Sequence, residues 1–417
     1  MKKFDLIIIG GGPAGMAAAL AAYQRGIDRI LIIDREEKLG GILKQCFHRG
    51  FGLQQFQREL TGPEYVNLTL EKLLATPIAT MLDTTVLHID KNNAVHAINS
   101  RDGYLTIETR AVILATGCRE RIRGAVGIHG SRPAGVFSAG TAQKLINLDS
   151  ILPGKLVVIL GSGDVGLVAA RRLSLAGATV AAVFEILPYA SGLPKNLACC
   201  LHDFGIPLFL NTTVVRIHGK ERVNGVTVAN VDNNLRHIDG TEKFVDCDTA
   251  LLSVGLIPEN EVARRSHIEL DPITNGALVG ELRQTSRAGI FACGNALHVH
   301  DEVDCVSAEG VLAGYGATQY IRGNLEPNSS HQIIAGDGIN YVVPQRVNRV
   351  NVKHKLELLM RVKSIFHHSV INLYWQNRVI ASKTAELFLP AQLIKLEIEK
   401  SLLQAYPVGD LVVKIES

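Results

Sequence analysis

The sequence has few of the features that mark several common functional classes. Aromatic residues make up only 5% of the 417 residues, and lysine and arginine are spread along the chain, so neither a base-stacking surface nor a basic stripe for nucleic acid is expected. The balance of 47% hydrophobic and 20% charged residues, with a formal net charge of +3, is typical of an ordinary globular protein. No apolar run reaches the roughly 20 residues needed to span a bilayer, and the predicted location is the cytoplasm.

Cysteine pairing is also missing. The seven cysteines form no C-x-x-C pair and no disulfide-framework spacing: Cys46, Cys118, Cys199, Cys200, Cys247, Cys293 and Cys305. This usage is typical of a reducing compartment and disfavours a redox-active disulfide. We also expect no metal site, because a metal needs three or four ligands and no second cluster of suitable spacing accompanies the polar run 298–301.

A glycine turn between an apolar strand and an alanine-rich helix opens the chain. Gly10, Gly12 and Gly15 fit the G-x-G-x-x-G fingerprint of a dinucleotide-binding βαβ unit. The first glycine permits the tight turn, the second lets the backbone approach a pyrophosphate, and the third lets the helix pack on the strand. Asp34 ends the next strand, where we expect its carboxylate to accept from a ribose hydroxyl.

The same pattern returns in the middle of the chain. Gly161, Gly163 and Gly166 follow a second apolar strand, and Glu185 takes the position of Asp34. One such motif is weak evidence, but two in the same register predict two dinucleotide sites. Each unit is closed by a further apolar strand, at 111–117 and at 249–255.

The order of these motifs resembles that of the flavoproteins with two dinucleotide-binding domains, the superfamily of thioredoxin reductase and glutathione reductase. GGGPAG, ATG, the second G-x-G-x-x-G, VGLIPEN and GIFACGN occur in that order and cover residues 1 to about 325. The resemblance implies FAD at the first motif, a nicotinamide dinucleotide at the second, and hydride exchange between them. Gly294-Asn295 stands where many relatives have Gly-Asp, and we expect its amide to keep a hydrogen bond to FAD.

The resemblance implies two sets of cofactor-binding residues. The expected FAD set is Gly10, Gly12, Pro13, Ala14, Gly15, Asp34, Arg35, Gly41, Val86, Ala115, Thr116, Gly117, Gly294 and Asn295. The expected NAD(H) set is Gly161, Gly163, Asp164, Gly166, Glu185 and Gly255. NADH is preferred to NADPH in this prediction, because a carboxylate at Glu185 repels a 2′-phosphate and no basic residue directly follows it.

A narrower resemblance lies in ILKQCFHRGFG, ATGCRERIRG and LPYASGL. These segments are similar to flavoproteins described as sarcosine-oxidase-alpha-like, as subunits of hydrogen cyanide synthase and dye-linked amino-acid dehydrogenases, or as companions of glycerol 3-phosphate dehydrogenases. They imply an FAD-dependent enzyme that works with a small-molecule substrate or a partner dehydrogenase subunit. Two alternatives stay open: a flavin-binding scaffold subunit with a structural NAD site, and an NADH oxidase or monooxygenase that uses oxygen.

The candidate catalytic residues are Cys46 and His48, in a segment that passes along the flavin in this superfamily. A thiolate beside a histidine would serve as a charge-transfer donor or react with peroxide, while the alternative is a buried cysteine that only packs. The run 298–301, HVHD, is either an acid/base group near the flavin or a hydrogen-bonded loop. The charged run 119–121 is either a cofactor contact or part of a domain linker.

The predicted fold class is α/β, with two Rossmann-like dinucleotide-binding domains of three layers (ββα), the second inserted in the first. The FAD domain is predicted at 1–120 and 285–330, a linker at 121–149, and the NAD(H) domain at 150–284. Alternating β-branched runs predict a small all-β module at 338–417. This module would dock a partner, dock the chain's own FAD domain, or cover a sheet edge.

Overall fold

The computed structural model describes residues 3–327, 331–407 and 409–416. The chain forms two compact units. Unit 1 comprises Met1–Lys44, Arg49–Cys118 and Pro258–Ser417, and unit 2 comprises Gln45–His48 and Arg119–Ile257. Within the described ranges, no helix combines the length and the apolar character needed to cross a bilayer.

Unit 1 is built on a sheet whose central strands are buried on both faces. Its first elements are β1 (Lys3–Ile9), α1 (Pro13–Tyr23), β2 (Ile30–Ile33), β3 (Arg49–Phe51), β4 (Leu60–Thr61), α2 (Gly62–Leu74), β5 (Ala79–Met81), β6 (Thr84–Ile89), β7 (Val95–Asn99) and β8 (Gly103–Leu114). The strand order is β5-β2-β1-β8-β7-β6. β1 pairs in parallel with β2 and β8, which agrees with its continuous apolar run, and β6, β7 and β8 form an antiparallel meander.

Unit 2 repeats this plan with a second parallel sheet. The elements in this part of the chain are β9 (Cys118–Glu120), β10 (His129–Gly130), β11 (Val136–Ser138), α3 (Ala139–Asn147), β12 (Leu156–Leu160), α4 (Asp164–Leu175), β13 (Thr179–Phe184), α5 (Pro194–Cys200), β14 (Leu208–Phe209), β15 (Thr212–Gly219), β16 (Val223–Asn230), β17 (Lys243–Val245), β18 (Thr249–Leu252) and β19 (Leu256–Pro258). The parallel sheet has the order β11-β18-β12-β13-β14. Helices α3, α4 and α5 cover one face and the smaller sheet β10-β15-β16-β17 covers the other, which gives the three layers predicted from the sequence.

The chain then returns to unit 1 through α6 (Glu261–Arg265), β20 (Ile290–Ala292) and α7 (Val303–Ile321). β20 pairs in parallel with the end of β8. Helix α7 packs tightly on α1, because a Cβ at Gly310 would lie 2.2 Å from the Ala14 carbonyl oxygen and one at Gly314 would lie 2.4 Å from that of Ala18. Glycine at these two positions is therefore what allows the helices to touch.

The C-terminal module consists of β21 (Ile333–Ala335), β22 (Ile339–Val343), β23 (Lys355–Val362), β24 (Phe366–Trp375), β25 (Arg378–Phe388), β26 (Ile394–Glu399), α8 (Lys400–Gln404) and β27 (Leu411–Glu416). Two sheets, β21-β27-β24-β25 and β22-β23-β26, enclose one apolar core. Tyr341 and Val343 also join the core that contains β1, β2 and β8. The module thus packs on the rest of unit 1, and it includes one short helix besides its strands.

The fold class predicted from the sequence is confirmed, but two expected boundaries differ. Residues 121–149 are not a linker, because they supply β11 and α3 to the sheet and helical layer of unit 2. Residues 258–284 cluster with unit 1 rather than with the second nucleotide-binding domain. Their apolar side chains, including Ile268 and Val279, lie in the core that also contains β1 and β8.

Candidate dinucleotide-binding sites

The first glycine turn has no room for side chains at its two ends. Gly10 has φ +108°, and a Cβ there would lie 2.2 Å from the Ala115 carbonyl oxygen. A Cβ at Gly15 would lie 1.9 Å from the carbonyl oxygen of Gly10. These contacts fix the turn between β1 and α1 against the end of β8.

The middle of the same turn is open. A Cβ at Gly12 would meet nothing nearer than the Gly41 Cα, at 4.0 Å. Pro13 begins α1, and within the described segments no side-chain hydrogen bond caps the start of this helix. Backbone N–H groups and the positive end of the helix therefore remain for an anion, as a pyrophosphate requires. This open cradle fits FAD.

Asp34 lies at the end of β2, buried beside the turn. Its Oδ2 accepts from the Gly11 N–H at 2.6 Å, and its Oδ1 accepts from the Glu36 N–H at 2.9 Å. A carboxylate oxygen has two acceptor positions, so capacity remains for a ribose hydroxyl. Of the other predicted contacts here, Arg35 is exposed, whereas Val86 is buried in the sheet core.

The end of β8 and the segment after β20 complete this part of unit 1. The Thr116 hydroxyl donates to the Glu259 carbonyl at 2.7 Å, and the Glu259 N–H donates to the Gly117 carbonyl at 2.9 Å. Further along, the Asn295 side chain accepts from the His300 N–H at 3.0 Å and places its Nδ2 3.6 Å from the Cys118 Sγ. The structure thus brings these predicted residues together in unit 1, and their contact with FAD remains a prediction.

The second glycine turn is built in the same way. Gly161 has φ +99°, and a Cβ there would lie 2.1 Å from the Ser253 carbonyl oxygen. A Cβ at Gly166 would lie 2.7 Å from the carbonyl oxygen of Gly161. Gly163 again faces space, because the nearest atom to a Cβ added there would be the Ser191 Oγ, at 3.9 Å.

Glu185 is held more firmly than Asp34. Its Oε2 accepts from the Ser162 N–H at 2.9 Å, the Ser162 hydroxyl at 2.6 Å and the Ser191 hydroxyl at 2.9 Å. Among the residues that the structure describes, its Oε1 accepts from the Leu187 N–H alone, at 3.1 Å. The side chain is buried, and Oε1 keeps one acceptor position for a ribose hydroxyl.

The segment after Glu185 folds back onto this turn. The Asp164 carboxylate accepts from the Leu193 N–H at 2.9 Å and from the Asn196 amide at 2.7 Å. A Cβ at Gly192 would lie 2.8 Å from the Ser162 carbonyl oxygen. Gly255, at the end of β18, has φ +100° and accepts from the Arg121 N–H at 2.9 Å through its carbonyl.

Cys46 and His48 do not have the setting predicted for a catalytic thiolate. Both belong to unit 2, where the Cys46 Sγ lies 3.9 Å from the Gln143 Oε1. Burial raises the pKa of the Cys46 thiol to about 12, so it is protonated at neutral pH. Burial, together with the nearby charge of Arg171, also lowers the pKa of His48. This setting favours the alternative of a cysteine that only packs, and a role for Cys46 and His48 beside the flavin stays a prediction.

The run 298–301 contributes to a charged cluster that the sequence did not reveal as one. His298 and His300 are buried against Glu309 on α7, and Glu309 pairs with Arg283. Asp301 instead turns to the C-terminal module, where it pairs with Arg361. The sequence did contain one signal for this cluster, because Glu309 is an isolated charge among small and apolar residues of α7.

Two other missed residues are Ser162 and Ser191, which hold Glu185. Ser162 occupies a variable position of the glycine motif, and Ser191 lies in the LPYASGL segment that carried the narrower resemblance. The sequence alone offered no reason to pair them, because their contact depends on how the segment folds back. The charged run 119–121 makes a hydrogen bond within unit 2, in which the Glu120 carboxylate accepts from the Gly140 N–H at 2.9 Å.

Comparisons with known proteins agree with this architecture. Hydrogen cyanide synthase subunit HcnB of Pseudomonas protegens is 26% identical over 284 residues, which cover 63% of this chain and 59% of that protein. Mitochondrial dihydrolipoyl dehydrogenase of Caenorhabditis elegans is 27% identical over 351 residues, 74% of this chain and 68% of that protein. One of the subunits of opine oxidase from Agrobacterium tumefaciens is 23% identical over 325 residues, 70% of this chain and 61% of that protein. The chain thus spans about three fifths of the length of the first of these relatives.

Solved structures give the same fold. The crystal structure of T. acidophilum thioredoxin reductase aligns with a TM-score of 0.62 at 22% identity, over 78% of this chain and 99% of that one. The family model of pyridine nucleotide-disulphide oxidoreductases matches residues 4–310, which include both glycine turns and the 298–301 run. FAD and a pyridine nucleotide are the cofactors of this oxidoreductase family, as expected from the two motifs. The chain belongs to the pyridine nucleotide-disulphide oxidoreductase family.

Proposed function

We propose that this protein exchanges hydride between NAD(H) and bound FAD. The observation that carries the proposal is the matched construction of its two glycine turns. In each, the first glycine adopts positive φ against a strand-end carbonyl, the middle glycine faces open space, and a buried carboxylate accepts from a loop N–H. Bound FAD supplies a two-electron acceptor, and the protein's own groups bind and orient the two dinucleotides.

We further propose that the enzyme is one component of a dehydrogenase system for a small amine, an amino acid or glycerol 3-phosphate. Two of the relatives are subunits by name, one of hydrogen cyanide synthase and one of opine oxidase. Disulfide reduction is disfavoured, because the sequence has no C-x-x-C pair and Cys46 is a half-buried thiol whose pKa its surroundings raise to about 12. A partner subunit or a small molecule would then supply or accept the electrons.

The test uses the full chain, purified and reconstituted with FAD. We expect a yellow protein whose flavin absorbance is bleached by NADH under anaerobic conditions in a stopped-flow instrument. Steady-state NADH oxidation should be slow with oxygen alone and should rise on addition of an artificial dye acceptor. Protein that cannot hold FAD would contradict the proposal, and rapid oxygen consumption would favour an NADH oxidase instead.

A second candidate, a flavin-binding scaffold subunit with a structural NAD site, is favoured by one observation. The segment from Ser191 to Asn196 is hydrogen bonded to Glu185 and Asp164, and Ser191 is the nearest neighbour of the open face of Gly163. In this second candidate, the segment stays in place and NADH is not bound.

Titration of the wild type with NADH separates the two functions, and Ser191→Ala tests whether the segment limits access to the site. This variant removes one hydrogen bond of the segment, and Ser174→Ala, which removes a hydroxyl bonded to the Ala170 carbonyl within α4, is the matched control. Calorimetric titration with NADH should show binding by all three proteins, with equal or tighter binding by Ser191→Ala, if the site is active. No binding by any of them would favour the scaffold.

A further inference from the structure

Glu309 is a fully buried carboxylate that holds the backbone of the Gly294-Asn295 turn. Its Oε2 accepts from the Gly294 N–H at 2.8 Å and contacts the His300 Nε2 at 2.9 Å. Its Oε1 accepts from the Arg283 Nε at 2.9 Å. The carboxylate therefore connects a buried arginine on one side to the main chain of the turn on the other.

The cluster around Glu309 is charged, and only some of its polar atoms form hydrogen bonds. Burial alone would raise the pKa of Glu309, but the charges of His300 and Arg283 hold that pKa well below its usual range. Among the described residues, the Arg283 Nη1 and His300 Nδ1 have no hydrogen-bond partner. The His298 Nε2 lies 3.4 Å from the Glu309 Oε1 without hydrogen-bond geometry. Buried charges with spare donors are costly to keep for stability alone, which suggests a role for the cluster.

The cluster is not best explained as a metal-binding site. The ligand atoms of His298, His300 and Glu309 do lie within 4.8 Å of one another. However, Arg283 already neutralises the carboxylate, and the Gly294 N–H occupies a further acceptor position. A divalent cation would place an uncompensated positive charge beside a buried guanidinium.

We infer that Glu309 is a positioning residue for FAD, acting through the Gly294-Asn295 turn. This inference rests on the proposed function, in which that turn contacts FAD. Gly294 has φ +67°, and a Cβ there would lie 2.8 Å from the Ala14 Cβ, so the turn sits directly on the start of α1. A carboxylate that fixes the Gly294 amide therefore fixes the orientation of Asn295 relative to the FAD cradle.

The segment after the turn is fixed from two further directions. The His300 N–H donates to the Asn295 Oδ1 at 3.0 Å, which ties the segment back to the turn. Arg361 of the C-terminal module pairs with Asp301 and donates to the Val299 carbonyl at 3.1 Å. The Leu393 N–H adds a 2.7 Å hydrogen bond to Asp301. His300, which touches Glu309, is thus held in place independently of the flavin.

The experiment compares Glu309→Gln with Glu281→Gln in the full FAD-loaded chain. Glu281 is also buried in unit 1 and is close enough to Arg283 to feel its charge, but it accepts from the Asn348 N–H and the Asn351 amide, both at 2.7 Å, rather than from the Gly294-Asn295 turn. We expect Glu309→Gln to weaken FAD binding by about tenfold or more, the scale of a lost charged hydrogen bond. It should also shift the flavin midpoint potential and visible spectrum, whereas Glu281→Gln should leave all three at wild-type values.

His300→Gln covers the case in which Glu309→Gln does not fold. Glutamine keeps an N–H donor for Glu309. We therefore expect His300→Gln to weaken FAD binding less than Glu309→Gln does, and to shift the flavin midpoint potential in the same direction. Unchanged FAD affinity and potential in the folded Glu309 or His300 variants, or equal changes in Glu281→Gln, would overturn the inference. Gly12→Ala tests the FAD site independently of Glu309. If Gly12→Ala abolishes FAD binding while the Glu309 and His300 variants bind FAD normally, the proposed FAD site is supported and only the role of Glu309 is contradicted.

Discussion

The hydroxyl of Ser191 donates a 2.9 Å hydrogen bond to the carboxylate of Glu185. Together with Ser162, it fixes the direction of the acid that ends the second strand of unit 2. A fixed negative charge beside the second glycine turn has a direct consequence for the choice of coenzyme.

NADH should reduce the bound flavin more efficiently than NADPH. Glu185 would accept from the ribose hydroxyls of NADH and repel the 2′-phosphate of NADPH, which gives a preference of roughly tenfold to several hundredfold. Stopped-flow reduction by each coenzyme measures this ratio. Glu185→Ala should narrow it, while Asp203→Ala, an exposed acid of unit 2, should not. Equal or faster reduction of the wild type by NADPH would contradict the assignment.

Gly12→Ala should lose FAD binding, whereas Gly10→Ala should lose stability. A Cβ at Gly12 meets open space, so Gly12→Ala should fold with the stability of the wild-type apoprotein but lose FAD, because the methyl group occupies the pyrophosphate position. At Gly10 the added Cβ meets the Ala115 carbonyl at positive φ, which should destabilise the fold by about 2 kcal/mol or more. Thermal unfolding of both apoproteins and FAD fluorescence titration check this. Normal FAD binding by Gly12→Ala would rule out the cradle.

Cys46 should have no redox role. Because burial raises its pKa to about 12, Cys46 should resist alkylation by iodoacetamide in the native protein at pH 8. Cys46→Ser should keep the flavin spectrum, redox potential and peroxide response of the wild type. Peptide mapping after alkylation identifies the modified cysteines, with denatured protein as the positive control. A changed flavin spectrum in Cys46→Ser would restore the thiolate hypothesis.

His298 should make unit 1 less stable in acid. Burial, reinforced by the charge of His300, lowers its pKa from 6.5 to about 4, so the folded state keeps His298 neutral while the unfolded chain binds a proton below pH 6.5. Stability should therefore fall as the pH drops from about 6.5 towards 4, by about 2 kcal/mol between pH 7 and pH 5.

Urea unfolding of the FAD-loaded protein at pH 7 and pH 5 measures this loss. His298→Gln carries no titrating group at this position and should lose about 2 kcal/mol less than the wild type over the same interval. Glu309 contributes little over this interval, because its pKa is lowered from 4.5 and the stability that this lowering supplies is lost only below about pH 4.5. Equal losses in the two proteins would show that His298 is not the group responsible.

The two glycine turns could be predicted because their geometry is local. Gly10 and Gly161 take positive φ, and Asp34 and Glu185 lie at strand ends beside the turns, as the spacing of the motif requires. A strand, a turn and a helix that follow each other directly can be arranged in few ways. The periodicity of apolar residues and the positions of the glycines are therefore sufficient to predict the turn.

The rest of the candidate site depends on contacts between distant parts of the chain. Arg283 and Glu309 are 26 positions apart, and Cys46 lies against Gln143, 97 positions away. A sequence pattern carries no information on which buried polar groups will meet, because each such contact is decided by the packing of whole elements. The placement of Cys46 in unit 2 and the boundary at Pro258 were missed for this reason.

The packing of Gly310 and Gly314 on α1 has a consequence for biosynthesis. Helix α1 is translated first, yet its partner α7 and the strand β20 are translated only after all of unit 2. Domains generally fold as units during translation, so the inserted unit has all of its own sheet strands while the first unit still lacks β20 and α7. The first glycine turn therefore receives its last neighbouring elements late in translation, and we expect FAD to be captured only after unit 2 has been synthesised.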